Sequence, residues 1–127
     1  MEQKFYICKH CGNIYAAVKQ TKVPVMCCGA KMEEIIPGTV EASVEKHVPV
    51  YTVEGNLVKV VVGSVEHPMA EVHWIEWIAL ESKEGFQMKH LVPGQKPYAE
   101  FVLSEEDEPI AVYEYCNLHG LWKADCK

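Results

Sequence analysis

Val48-Pro49-Val50-Tyr51-Thr52-Val53, Glu54-Gly55-Asn56 and Leu57-Val58-Lys59-Val60-Val61-Val62, ending at Gly63, form the stretch that sets the fold class. β-Branched and aromatic side chains fill both flanks, and the segment between them has turn chemistry, so the stretch reads as a β-hairpin. The pattern continues through Val72 to Leu80, Phe86 to Val92, Ala99 to Leu103 and Ile110 to Tyr115. Turn clusters at Ser82-Lys83-Glu84-Gly85, Pro93-Gly94 and Ser104 to Pro109 separate these runs. At least six short strands, with no stretch of helical period, predict an all-β, antiparallel sandwich or barrel rather than a parallel sheet. The acidic run Glu105-Glu106-Asp107-Glu108 reads as a solvated loop.

Upstream of the hairpin the character changes. The first quarter is rich in turns, poor in apolar periodicity, and holds Cys8, Cys11, Cys27 and Cys28. A segment this small buries little apolar surface and needs a metal or a disulfide to hold its shape. Residues 1–36 are therefore expected to form a metal-stapled module, with Pro37-Gly38 as the boundary and residues 37–127 as the sandwich. Two thiolates spaced C-x-x-C can face one ion, and four suit zinc or iron. The second pair is adjacent, which splays the tetrahedron relative to a zinc ribbon and shifts the expectation towards iron. His10 lies between two ligands of a filled shell and reads as an exposed bystander.

Composition narrows the function classes. The 127 residues are 49% hydrophobic and 24% charged, ordinary values for a globular chain, and the formal net charge is −6. No basic run is present, so neither nucleic acid nor an anionic membrane is an expected partner. The start lacks a signal-peptide pattern and no run reaches a membrane span, so a soluble, cytoplasmic protein is expected. In a reducing compartment the six cysteines point to metal ligands more than to disulfides.

A second constellation needs the fold to assemble it: Glu45-Lys46-His47-Val48-Pro49, then His67-Pro68-Met69 with His73, then Tyr115-Cys116-Asn117-Leu118-His119-Gly120. Three of its four histidines fall at strand edges or in loops, which cluster at the ends of a sandwich. One soft thiolate with several imidazoles suits copper, iron or zinc. No Met follows His119, against a blue-copper site, and five donors exceed the four that zinc takes. A five-donor set leaves one position open on a redox metal such as iron. Two other readings remain at this level: a non-catalytic iron electron carrier, and a zinc-binding interaction protein.

In the order, type and spacing of these motifs the chain resembles the desulfoferrodoxins, the two-iron-centre superoxide reductases, over essentially its whole length. The resemblance implies a desulforedoxin-like module with an Fe(Cys)4 centre at Cys8, Cys11, Cys27 and Cys28, followed by an immunoglobulin-like antiparallel β-sandwich. It further implies a reactive Fe(His)4(Cys) centre with His47, His67, His73 and His119 equatorial and Cys116 axial, hence two irons per chain. The implied activity is one-electron reduction of superoxide to hydrogen peroxide without release of dioxygen. Lys46 would attract the anion and order the water that delivers a proton, and Glu45 resembles the carboxylate that fills the sixth position after oxidation. A rubredoxin-type electron donor and a homodimer are also implied. Cys126 has no place in the pattern and reads as a solvent-exposed free thiol near a frayed terminus.

Overall fold

The computed structural model describes residues 2–126, and the chain divides after Ile36 into two compact units. In the first, β1 (Phe5–Ile7) pairs antiparallel with β2 (Ile14–Ala16) on one side and β5 (Glu33–Glu34) on the other. The strands β3 (Met26–Cys27) and β4 (Ala30–Lys31) form a separate hairpin. The two residues linking them, Cys28 and Gly29, have φ of 53° and 74°, the paired left-handed geometry of a type I′ turn. Cys28 is the one non-glycine residue with positive φ among those described. Among the described residues, the buried apolar side chains of this unit are Phe5, Cys8 and Met32, as expected of a segment too small for a full core.

The second unit opens with a single helical turn, α1 (Val44–His47), and continues as β6 (Pro49–Glu54), β7 (Leu57–Val62), β8 (Ile75–Ser82), β9 (Gly85–His90), β10 (Tyr98–Val102), β11 (Pro109–Cys116) and β12 (Gly120–Asp125). Three strands order as β10-β7-β6 and four as β12-β11-β8-β9, every pair antiparallel. Alternation places Val58, Val60 and Val62 of β7, Ile78 and Leu80 of β8, Ala99 and Phe101 of β10 and Val112 of β11 in one shared core. Each such side chain contributes roughly 1.5–3 kcal/mol on burial. The result is the immunoglobulin-like, three-plus-four sandwich implied by the sequence. Gly55, with φ 62°, takes the first position of the two-residue β6–β7 turn, where a primed hairpin turn requires a left-handed residue.

Four details differ from the sequence reading. The run starting at Val72 enters the sheet only at Ile75, because Trp74 N–H and Val72 C=O are engaged by the side chain of Asn117. α1 was not expected, its four residues being too few to show a period. The chain after Gly120 is a regular strand, β12, and Cys126 is not an exposed thiol: it is half-buried against the core, with its N–H on Ile110 C=O at 2.8 Å. Nor is the acidic run wholly solvated. Asp107 accepts from Ser82 Oγ at 2.8 Å and from the Glu84 and Glu108 N–H groups at 2.9 Å, tying the β8–β9 turn to the segment before β11.

Register fixes where the loops meet. Pro49 pairs with Val62, and Cys116 pairs with both Ile75 and Gly120. The start of β6, the end of β7, the start of β8, the end of β11 and the start of β12 therefore share one end of the sandwich. Cys116 closes β11, and His47, His67, His73 and His119 lie in the helical turn and loops that adjoin the other strand ends.

Candidate metal centres

In the first unit the sulfurs of Cys8, Cys11, Cys27 and Cys28 lie within 4.8 Å of one another, with Cys11 and Cys27 Sγ 3.6 Å apart. Cys8 is buried and Cys11 and Cys28 are exposed. The Cys8–Asn13 loop is closed by Cys8 N–H on Asn13 C=O and Gly12 N–H on Cys8 C=O, and Cys11 N–H donates to Cys8 Sγ at 3.5 Å. That backbone donor pulls the Cys8 thiol down to about 6, whereas Cys28, hydrogen-bonded to the sulfurs of Cys11 and Cys8, is pushed up to about 12. Four sulfurs this close cannot all shed their protons without a cation among them. The donor set is that of a tetrathiolate metal site, and His10 is exposed beside it, as expected.

In the second unit four imidazoles close a ring. Successive centroids lie 4.6 Å (His47–His67), 4.6 Å (His67–His73), 5.1 Å (His73–His119) and 4.8 Å (His119–His47) apart, with interplanar angles of 78° to 87°. The diagonal from His47 to His73 is 6.3 Å, so the four rings stand at the corners of a near-square. Cys116 Sγ, fully buried, is 3.9 Å from His119 Nδ1 and within 4.8 Å of the ligating atoms of the other three. With the four ring nitrogens this sulfur makes a set of five potential donor atoms gathered around one point.

The ring nitrogens show why a cation fits. His47 Nδ1–H donates to Ser43 C=O and His67 Nδ1–H to Pro68 C=O, both at 2.7 Å, which fixes each ring with Nε2 turned inward. Burial, reinforced by the neighbouring imidazoles, holds His47 and His67 below the ordinary histidine value, His67 at about 4, so both rings are neutral at pH 7. Their Nε2 atoms are then two bare lone pairs 3.2 Å apart. That is not a hydrogen bond; it is the spacing of adjacent nitrogens about 2.1 Å from one metal ion. His73 Nε2 is buried without a partner, and His119 turns Nδ1 inward, 3.1 Å from His47 Nε2. Burial raises the Cys116 thiol while the Leu118 and His119 N–H groups favour its thiolate. The chain thus holds a four-cysteine group and a His/Cys group able to bind metal ions.

Lys46 is exposed on α1, and its charge is among the causes that lower His47 and His73, which puts the ammonium near the ring of imidazoles. Glu45 is exposed as well. Its C=O accepts from Val65 N–H at 3.0 Å and from Ser64 Oγ at 3.2 Å. Gly63 lies against that turn: a Cβ there would meet Glu45 O at 2.6 Å and Val48 O at 2.9 Å. Sequence reasoning singled out the five candidate donors, and Pro68 as a stiffener of the His67 loop, but not the backbone contacts that orient the rings. Ser43, Pro68 and Gly63 act through the backbone or the lack of a Cβ, and carry no side-chain signature. Only Gly63, directly after an unbroken valine run, offered a hint. Tyr115 stacks on Trp77 at 5.7 Å, and Leu118 reaches the site through its backbone N–H.

The family model for desulfoferrodoxin matches residues 39–125, the sandwich with all five donors. The chain belongs to the desulfoferrodoxin family. Membership extends over the four-cysteine unit too, since the desulfoferrodoxin of Nitratidesulfovibrio vulgaris is 44% identical over 124 residues, 98% of this chain and 97% of that one. A superoxide reductase of Pyrococcus horikoshii is 38% identical over 96 residues, 62% of this chain and 84% of its own. Among solved structures, the superoxide reductase from Treponema pallidum superposes with a TM-score of 0.83 at 36% identity, covering 98% of this chain and all of that one. The single-iron superoxide reductase from Giardia intestinalis gives a TM-score of 0.56 at 35% identity, over 65% of this chain and 98% of that one. The desulfoferrodoxin relatives and these superoxide reductases thus meet on the same sandwich.

Proposed function

We propose that this protein is a superoxide reductase, an oxidoreductase that reduces superoxide by one electron to hydrogen peroxide and releases no dioxygen. The carrying observation is the near-square of His47, His67, His73 and His119 with a buried sulfur, Cys116, facing all four corners. Similarity to the superoxide reductases of Treponema pallidum and Pyrococcus horikoshii supports the reading from a second side. His47, His67, His73, His119 and Cys116 would hold one iron, and Cys8, Cys11, Cys27 and Cys28 would hold a second. Bound between these residues, iron supplies the electron that superoxide takes up.

The remaining work belongs to the chain. Lys46 draws the anion to the rim of the site. Its attraction acts at short range and fades beyond a Debye length of about 8 Å. The local ammonium therefore outweighs the overall negative charge. Lys46 also orders the water from which the two protons of hydrogen peroxide come, and Glu45, on the same helical turn as Lys46 and His47, would supply a carboxylate to the iron when substrate is absent. The Leu118 and His119 N–H groups steady the charge of Cys116. Residues 1–36 would serve as the electron-transfer module, their four cysteines holding an iron able to take electrons from a rubredoxin-type donor, and residues 37–127 as the reductase domain. The working form is a cytoplasmic homodimer. No helix among the described residues is long and apolar enough to cross a membrane.

A pulse of superoxide delivered to the reduced, iron-loaded chain tests the proposal when peroxide and dioxygen are both quantified. One peroxide per superoxide consumed, with no dioxygen, is expected. Dioxygen and peroxide in equal amounts would indicate a dismutase, and no consumption of superoxide would indicate an electron carrier.

A further inference from the structure

Two of the imidazoles carry their own orienting bond. His47 and His67 each donate Nδ1–H to a backbone carbonyl at 2.7 Å, whereas no ring bond of this kind forms for His73 among the described residues. His73 must be held another way. Its own N–H and C=O close a bridge with Ala70 at 3.0 and 2.9 Å, which leaves the whole short loop free to shift as a unit unless something anchors it.

Asn117 is that anchor. Its Oδ1 accepts from Trp74 N–H at 2.9 Å, its Nδ2–H donates to Val72 C=O at 3.1 Å, and its own N–H donates to Trp74 C=O at 3.2 Å. The two side-chain bonds grip the residues immediately before and after His73. Because one partner is a backbone donor and the other a backbone acceptor, only one orientation of the amide satisfies both. Asn117 also directly follows Cys116, so one residue ties the loop carrying the His73 imidazole to the strand end carrying the Cys116 sulfur. Aspartate, serine or glycine could not make both side-chain bonds, and glutamine would set its amide one methylene further out.

We propose that Asn117 is the positioning residue for His73, fixing through the Val72–Trp74 backbone the distance from that imidazole to Cys116. The inference rests on the reading of His73 and Cys116 as ligands of one ion. It assigns Asn117 no contact with substrate. Groups that orient metal ligands change metal affinity by about 10- to 100-fold when lost.

The test uses the full chain loaded with iron, in wild-type, Asn117→Ala and Asn117→Asp forms. Each is reduced and challenged with a strong iron chelator, and iron per chain is followed together with the visible absorption of the reoxidised tetrathiolate centre. Asn117→Ala is expected to release the second-centre iron about 10-fold faster or more, with the tetrathiolate iron unchanged. Asn117→Asp keeps the acceptor for Trp74 N–H and loses the donor to Val72 C=O, so it is expected to fall between the two, and it serves alone if the alanine variant does not fold. Release at the wild-type rate from the second centre of both variants would overturn the proposal, as would equal acceleration at both centres. Wild-type protein that takes up only the tetrathiolate iron would instead overturn the five-donor reading on which the proposal stands.

Discussion

His47 Nε2 and His67 Nε2 face each other at 3.2 Å, each on a ring whose Nδ1–H is already engaged by a backbone carbonyl. With no proton between them, the two lone pairs repel unless a cation lies in the angle they define. Removing the metal should therefore destabilise the sandwich itself. Trp74, Trp77 and Trp122 all belong to the second unit, and Trp122 lies 5.2 Å from the His47 ring, so tryptophan fluorescence reports on that unit alone. The thermal midpoint read this way is expected to fall on chelation and to recover when ferrous iron is returned. A midpoint indifferent to metal would contradict the reading.

Lys46→Ile removes the cation beside the imidazoles and touches no donor. The rate with superoxide is expected to drop about 10-fold or more at low ionic strength, with a smaller drop at high salt, while iron content stays unchanged. Equal rates for the two proteins at low salt would take Lys46 out of the mechanism.

Gly63→Ala places a methyl group 2.6 Å from Glu45 O and 2.9 Å from Val48 O, both backbone atoms of the turn that presents Lys46 and His47. The turn must move. Overpacking of this kind costs about 1–3 kcal/mol, and the displacement should weaken the second centre before the first. Denaturant melts and iron counts read both effects, and unchanged values in the two measurements would show that the turn has room to spare.

Glu114 is fully buried on β11, and neither carboxylate oxygen has a hydrogen-bond partner among the described residues. Burial holds its carboxyl well above the ordinary value of 4.5. A carboxyl raised on folding contributes stability that is complete below the unfolded value and lost as pH climbs above it, by about 1.4 kcal/mol per pH unit until the buried group ionises. Glu114→Gln removes that slope. Between pH 5 and pH 8 the variant is expected to gain stability relative to the parent in urea melts, and parallel curves would show that Glu114 ionises freely in place.

Much of the sandwich could be read in the sequence, because Val58, Val60 and Val62 alternate with less buried neighbours and Gly55-Asn56 is turn chemistry. What escaped notice was set by contacts far along the chain. Val72 to Trp74 carry β-branched and aromatic side chains yet stay out of the sheet, since their backbone groups are engaged by Asn117, more than forty residues away. β12 follows the last recognisable motif and its strand character depends on pairing with β11, as does the burial of Cys126. The five donors were legible as residue types at a spacing. Their square arrangement was not, because it depends on the pairing of Pro49 with Val62 and of Cys116 with Ile75 and Gly120.

Diffraction from crystals of the iron-loaded protein, recorded on both sides of the iron absorption edge, locates the metal without reference to colour or activity. Two anomalous peaks per chain are expected. One should lie among the four sulfurs of the first unit, the other within bonding distance of Nε2 of His47, His67 and His73, Nδ1 of His119 and Sγ of Cys116. A second peak out of reach of any of those five atoms, or a sandwich with no peak at all, would contradict the account.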